Sequence, residues 1–398
     1  MPNLPNKWSQ EILRSLHHLT VVAEEALDQG RRALSARLET NPPAHIAAYC
    51  GYADQAGTHL AGRILSRPPG GGPLDDDGVW INLANTWRRW ESDEVANAEV
   101  TLKFQGHQTT VVSDEEGYYQ AKLPRPVGVG GLWVTATAKV RGDLGEISTT
   151  HPVLTPSPDA AFGIISDLDD TVIYTGITSF LLAAKLTFLE NAKTRKPLDG
   201  VAELYQALQK GTTGHAVNPI FYVSSSPWNL HDLLWDFIQL NEIPQGPILL
   251  RDFGLDPTKF VKESGHGHKQ RKALALLDGY PDLPFVLVGD SGQEDATIYA
   301  EICALRPGRV RAIYIRDVDP DHSSKRDALV HAAVKIAEAH GVPMILAPNS
   351  KAMSEHASRI GLIPAAAVPE VIAEIRKDEQ RPETGEQALS DAAKSMIP

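Results

Sequence analysis

In FGIISDLDDT, Phe162 to Thr171, an apolar run ends abruptly in acid: Asp167, Asp169 and Asp170 follow directly on Gly163, Ile164 and Ile165. A continuous apolar run marks a parallel strand covered on both faces, and open α/β sheets place their chemistry just beyond the carboxyl ends of such strands. Carboxylates crowded beside an apolar strand repel one another, and a bound cation such as Mg²⁺, which takes oxygen ligands, relieves that repulsion. A metal site is therefore the first expectation. A solvated acidic turn is the alternative, since Asp is common in turns.

The spacing Asp167, Asp169, Thr171 resembles the D-x-D-x-T signature of phosphatases in the haloacid dehalogenase superfamily. Their chemistry needs a nucleophilic carboxylate, a second carboxylate two residues on as acid and base, a hydroxyl and a cationic side chain for the phosphate, and a further metal-binding acid. Parts of those types follow in that order. Asn218 to Ser226, NPIFYVSSS, is a strand-like run ending in hydroxyls; Lys269 in GHGHKQRKALALL stands just before a helical pattern; Leu283 to Asp295, LPFVLVGDSGQED, ends in carboxylates. More narrowly, DLDDTVIYTG, VSSSPWNL (Val223 to Leu230), His268 with Lys269, and GDSGQEDATIY (Gly289 to Tyr299) resemble the actin-patch-associated phosphatidate phosphatase family, over about residues 160 to 320.

That resemblance implies a role for each matching residue. Asp167 is the expected nucleophile, forming an aspartyl phosphate, and Asp169 the acid that protonates the leaving oxygen and later activates water. Asp169 would also offer its backbone carbonyl to the metal, and Thr171 would support the loop. Ser224 fits the phosphate-binding hydroxyl, with Ser225 and Ser226 as alternatives, and Lys269 the phosphate-neutralising ammonium, with Lys262 and Lys272 in competition. The implied Mg²⁺ ligands are Asp167, Asp169, Asp290 and Asp295, although Asp295 could instead be an acid favoured by a helix start. Asp170 has no assignable role, and Trp228 and Asn229, which match the family run, read as either structural or substrate-facing residues. His266 and His268 lack a third partner at zinc spacing and read as loop histidines.

These residues need a scaffold, and 398 residues suffice for two or three domains. A net charge of −12 argues against a nucleic-acid partner, and Cys50 and Cys303 are too few for a disulfide framework or a cysteine zinc site. The start of the chain lacks a secretory pattern, and no run approaches the ~18 apolar residues of a membrane span. The reading is cytoplasmic, with room for peripheral contact at membranes.

Residues 8 to 38 carry a helical apolar period whose basic residues are balanced by acids, and Pro42 and Pro43 end it. From about Ala44 to Val153, runs such as HLAGRIL, AEVTLKF, GYYQAKL and LWVTATAKV alternate between Gly, Pro and Asp breaks. That pattern predicts an all-β sandwich or small barrel, and Ala98 to Leu123 resembles the transthyretin-like carboxypeptidase-regulatory module, which suggests a binding or support role. Arg67 to Gly78, RPPGGGPLDDDG, reads as a loop without the Lys and Ser or Thr of a phosphate loop, and Trp80, Trp87 and Trp90 as core or interface residues.

After Pro156 and Pro158, strands and helices alternate as in a parallel sheet. Helices are expected at 178–193, 200–210, around 326–340 and on to about Asp378, with strands at 312–315 and 343–347. The intervals between motifs leave no room for a large cap domain, which predicts an open crevice. The expected organisation is a helical segment at 1–43, an all-β sandwich at 44–155, a doubly wound α/β haloacid-dehalogenase-like phosphatase domain at 156–378, and a polar tail at 379–398. The family resemblance implies Mg²⁺-dependent hydrolysis of phosphatidate to diacylglycerol and phosphate. A phosphatase of soluble small molecules or phosphoproteins is the second reading, and a catalytically inactive scaffold binding partners through the β domain a third.

Overall fold

The computed structural model describes residues 45–66, 94–128, 131–142, 145–168, 171–172, 198–251, 265–318 and 325–379. The expected N-terminal helix, the Arg67 to Gly78 loop with its nearby tryptophans, the helix at 178–193 and the tail beyond 379 lie outside these residues.

The first eight strands are β1 (His45–Ala48), β2 (Gly51–Asp54), β3 (Gly57–Leu65), β4 (Glu99–Phe104), β5 (His107–Val112), β6 (Tyr118–Leu123), β7 (Trp133–Gly142) and β8 (Gly145–Leu154). They hydrogen-bond along one path, β1-β3-β2-β8-β7-β4-β5, with β6 paired to β3. Alternation decides which face is buried. In β4, Val100, Leu102 and Phe104 point inward and join Leu60, Ile64, Tyr119, Ala136, Ala138 and Val153 in one apolar cluster, while Glu99 and Lys103 face water. The sheet curls so that β5 approaches β6.

The second sheet is parallel, in the order β11 (Ile248–Arg251), β10 (Ile220–Pro227), β9 (Gly163–Ser166), β12 (Phe285–Asp290), β13 (Val310–Arg316), β14 (Met344–Ala347). Counted within this region alone, the order is 3-2-1-4-5-6, so the chain reverses direction across the sheet between β9 and β12. Ligand crevices form at that topological switch. Successive residues face opposite sides: Ile164, Tyr222 and Val288 join one apolar cluster, and Ile165, Phe221 and Leu287 the other. On the first side pack α1 (Val201–Lys210), α2 (His231–Leu240), α6 (Ser350–Arg359) and α7 (Ala367–Glu379). On the second pack α3 (Gly265–Gly279), α4 (Asp295–Leu305) and α5 (Lys325–Ala339).

In the parallel-sheet region two described elements escape the sequence reading, the short strand β11 and helix α2. One reading needs correction: His266 and His268 lie inside α3 rather than in a loop. The glycines of GHGH disfavour a helix interior, but they fall in the first turn, where propensity matters least once the apolar face of the following turns is packed.

The two sheets are in contact. Leu132, just ahead of β7, and Leu154 of β8 enter the apolar cluster of the second sheet, Tyr280 Oη donates to Ala53 O at 2.8 Å, and Gln55 N donates to Gly279 O at 3.0 Å. Among the described residues, no helix is long and apolar enough to cross a membrane.

Candidate active site

β9 and β12 are neighbours, so whatever follows the one meets whatever ends the other. Their register, Ser166 against Val288, brings Asp167 beside the end of β12, where the Asp167 amide donates to Val288 O at 2.9 Å. Gly163 lets the strands close, because a Cβ there would run into the ring of Phe285. Asp290 ends β12, and Asp295 is the first residue of α4. Asp167, Asp290 and Asp295 are fully buried, and one oxygen from each lies within 4.8 Å of the others.

The turn between β12 and α4 is wound on its own acids. Asp290 Oδ1 accepts from the amides of Gly292 (2.6 Å) and Gln293 (2.9 Å), and Asp295 Oδ2 accepts from the amide of Asp290 (3.2 Å). Gly289 makes this approach possible, since a Cβ there would stand 2.6 Å from Asp295 Cβ and Oδ2.

α3 contributes the cation. Lys269 Nζ lies 2.9 Å from Asp167 Oδ1 and 2.8 Å from Asp295 Oδ1, and donates to Gln293 Oε1 at 3.0 Å. Burial works to discharge this ammonium, but the two carboxylates more than offset it and hold its pKa above the ordinary lysine range. Lys269 is therefore a fixed positive charge at any working pH. Lys272, its described competitor, is not among these contacts.

Ser224 is fully buried on β10, and the register Tyr222 against Ser166 carries it to the same sheet end as Asp167. Its Oγ accepts from the Ser226 amide at 2.9 Å. Thr171 is buried after Asp167. Asp169, Asp170 and Lys262 lie outside the described residues. The structure thus gathers Asp167, Asp290, Asp295 and Lys269 in direct contact and brings Ser224 to their edge. The three acids expose no surface, and Lys269 and Gln293 are held against them.

Two further residues belong to this neighbourhood. Gln293 steadies the lysine, and its only signal in the sequence was membership of the GDSGQ run. Arg316, buried at the end of β13 and in register with Asp290, donates to Ser350 Oγ at 3.3 Å, which donates to Asp199 O at 2.7 Å. A lone Arg ending a strand gives no signal of that proximity.

Among the described residues Lys269 meets a group of three buried carboxylates, and the ligand atoms that group offers are all oxygen. That set fits a hard divalent cation such as Mg²⁺ better than zinc, which favours nitrogen and sulfur.

Residues 162–317 match the family model described as phosphatidate phosphatase APP1, catalytic domain. The phosphatidate phosphatase APP1 of Saccharomyces cerevisiae is 32% identical over 186 residues, which is 46% of this chain and 30% of the yeast protein. An uncharacterized Schizosaccharomyces pombe protein is 27% identical over 252 residues, 62% of this chain and 39% of that protein. The chain thus spans about a third of the length of these relatives. A carbohydrate acetylesterase from Xanthomonas citri aligns over 72% of this chain and 71% of its own at 15% identity, with a TM-score of 0.24 that is too low to bear on the fold. Residues 162–317, the stretch similar to the family model of the APP1 phosphatidate phosphatase catalytic domain, hold Asp167, Ser224, Lys269, Asp290 and Asp295.

Proposed function

We propose that this chain is a Mg²⁺-dependent phosphomonoester hydrolase of the haloacid-dehalogenase type, acting on phosphatidate to release diacylglycerol and phosphate. One observation carries the reading: Asp167, Asp290, Asp295 and Lys269 converge at the topological switch of a parallel sheet, within the segment matched to the catalytic domain. The N-terminal β domain, read as a sandwich-like support, holds one flank of that sheet.

In this mechanism a carboxylate oxygen of Asp167 attacks phosphorus and the bond to the lipid alkoxide breaks, giving an aspartyl phosphate. Asp169 gives its proton to the departing oxygen. Asp169 then takes a proton from water as that water attacks phosphorus, which releases inorganic phosphate and regenerates Asp167. Lys269 neutralises phosphoryl oxygen charge from a position already fixed by Asp295 and Gln293, so little reorganisation is needed during reaction. Ser224 orients a third oxygen. Asp167, the Asp169 carbonyl and Asp290 would hold Mg²⁺, with Asp295 as a further acid. The ion supplies charge neutralisation at the phosphoryl group.

Purified protein, assayed with Mg²⁺ present or chelated on phosphatidate in mixed micelles, glycerol phosphate and a phosphopeptide, tests the reading. The expected result is chelator-sensitive hydrolysis with the highest kcat/KM on phosphatidate. Preference for a soluble substrate would remove the lipid assignment, and absence of hydrolysis on all three would favour the inactive scaffold.

A further inference from the structure

Ser224, Ser225 and Ser226 occupy a stretch of β10 where the ladder is interrupted. The register with β9 ends at Tyr222, and the register with β11 stops at Val223 and resumes only at Pro227. The chain then makes a 3₁₀ turn, Trp228–Leu230, and enters α2 without a side-chain N-cap. Beyond this bulge the strand leads straight into Trp228 and His231, so what holds those two rings bears on where the end of β10 lies.

That clamp comes from the other sheet. The ring of Tyr49, in the link between β1 and β2, stacks on His231 with centroids 3.6 Å apart and planes 25° from parallel, and on Trp228 at 5.5 Å and 13°. Trp235, one turn further along α2, stacks on His231 at 6.3 Å and 13°. Aromatic pairs of this kind contribute beyond the area they bury, and they fix orientation as well as distance.

Tyr49 is itself pinned. Its amide donates to Ala61 O at 3.0 Å, and its carbonyl lies 2.9 Å from His151 Nδ1. His151 is fully buried, and its Nε2 lies 2.9 Å from Tyr119 Oη. A carbonyl can only accept, so Nδ1 carries the proton and Nε2 accepts from the tyrosine hydroxyl. Burial lowers the pKa of this imidazole to about 4, which keeps the neutral tautomer that the arrangement requires.

We infer that the N-terminal sheet positions the phosphate-binding end of β10, with Tyr49 as the positioning residue acting through Trp228 and His231. The inference rests on the reading of Ser224 as the phosphate hydroxyl. It gives the β domain a part in the reaction without any group touching substrate.

The test uses the full chain with Mg²⁺ and compares Tyr49→Leu with Tyr49→Phe and with Tyr280→Phe, which loosens the same interface away from the stack. The readouts are amide hydrogen exchange over 224–231, the affinity for inorganic phosphate, and kcat and KM on an aryl phosphate. Tyr49→Leu should raise exchange over 224–231 at least tenfold, leave β13 protected, weaken phosphate about tenfold and lower kcat/KM by 10- to 100-fold, the scale expected for roughly 1 Å of misplacement. Tyr49→Phe should restore all of these, and Tyr280→Phe should change none. Unchanged exchange in Tyr49→Leu, or an equal loss in Tyr280→Phe, overturns the inference. If Tyr49→Leu does not fold, His231→Asn removes the same stack from the α2 side and is held to the same outcomes. Wild type that neither binds phosphate nor hydrolyses the ester would instead fail the phosphatase reading, while exchange over 224–231 would still report whether Tyr49 holds that segment.

Discussion

Replacing Gly289 by alanine probes the site without removing any of its functional groups. The new Cβ would sit 2.6 Å from Asp295 Cβ and Oδ2, whereas ordinary contact begins at 3.4 Å, so Asp295 must retreat by about 0.8 Å. It cannot do so cheaply. Asp295 opens α4 and is fully buried, its Oδ1 holds Lys269 at 2.8 Å and its Oδ2 holds the Asp290 amide at 3.2 Å. Overpacking of this kind costs roughly 1–3 kcal/mol, and a stretched hydrogen bond to a charged group adds to it. We expect the melting transition of the catalytic region to fall by roughly 4–8 °C. Activity should fall further than stability suggests, about 10²-fold in kcat/KM, because Lys269, Asp290 and Asp295 move together. Thermal melts and steady-state kinetics on an aryl phosphate measure the two effects. A variant with wild-type kcat/KM and an unchanged melt would refute the claim that close approach of β12 to α4 sets the site.

Asp167→Asn should fold, lose hydrolysis and bind Mg²⁺ more weakly by calorimetry; undiminished turnover would remove Asp167 as nucleophile. Asp169→Asn should slow an alkyl phosphate more than an activated aryl phosphate, since a poor leaving group depends most on its acid; equal losses would count against that role. Lys269→Met should lower stability at neutral pH by setting three carboxylates against each other. Lys269 has a raised folded pKa, so its contribution is complete below the ordinary lysine value of ~10.4 and is lost only as pH climbs beyond it; the stability difference between wild type and Lys269→Met should therefore stay flat from pH 7 to 9. His151 has the opposite sense. Its folded value, about 4, lies below its ordinary value of ~6.5, so wild type should lose up to roughly 3 kcal/mol as pH falls from 6.5 to 4, a loss that His151→Gln would not share.

The catalytic region was legible because its signals are local. β9 and β12 are short apolar runs that end in acid, and such runs need no partner to be recognised. β13 and α5 begin within two residues of where period and composition place them. β11 was missed because four residues, Ile248 to Arg251, carry no countable period, and α2 because its start overlaps the Trp228 turn and offers no capping side chain. In the first sheet, alternation identifies the buried face of β4 and β7. Pairing is another matter: nothing in the sequence of β2 says that it runs parallel to β8 while the strands around it pair antiparallel.

The site divides in the same way. Asp167, Asp290 and Lys269 are chemically conspicuous and sit in recognisable runs, so residue type and order suffice to find them. Gly289, Gln293, Arg316 and Tyr49 do their work by occupying space or by aiming another group, and that property exists only once the chain has folded. Gly289 is just a glycine until α4 packs against β12, and Tyr49 lies in a region whose composition says only that it is β. The division follows from the strand order. With β9 and β12 adjacent and the chain turning outward on either side, the reacting groups come from strand ends that every doubly wound sheet supplies, whereas the residues that hold them come from elements far away in sequence. The proposed nucleophile is therefore read from one segment, but its geometry is shared among β10, α3, α4 and the first sheet. Perturbing Tyr49 or Gly289 should accordingly report on catalysis as directly as perturbing Asp167 does.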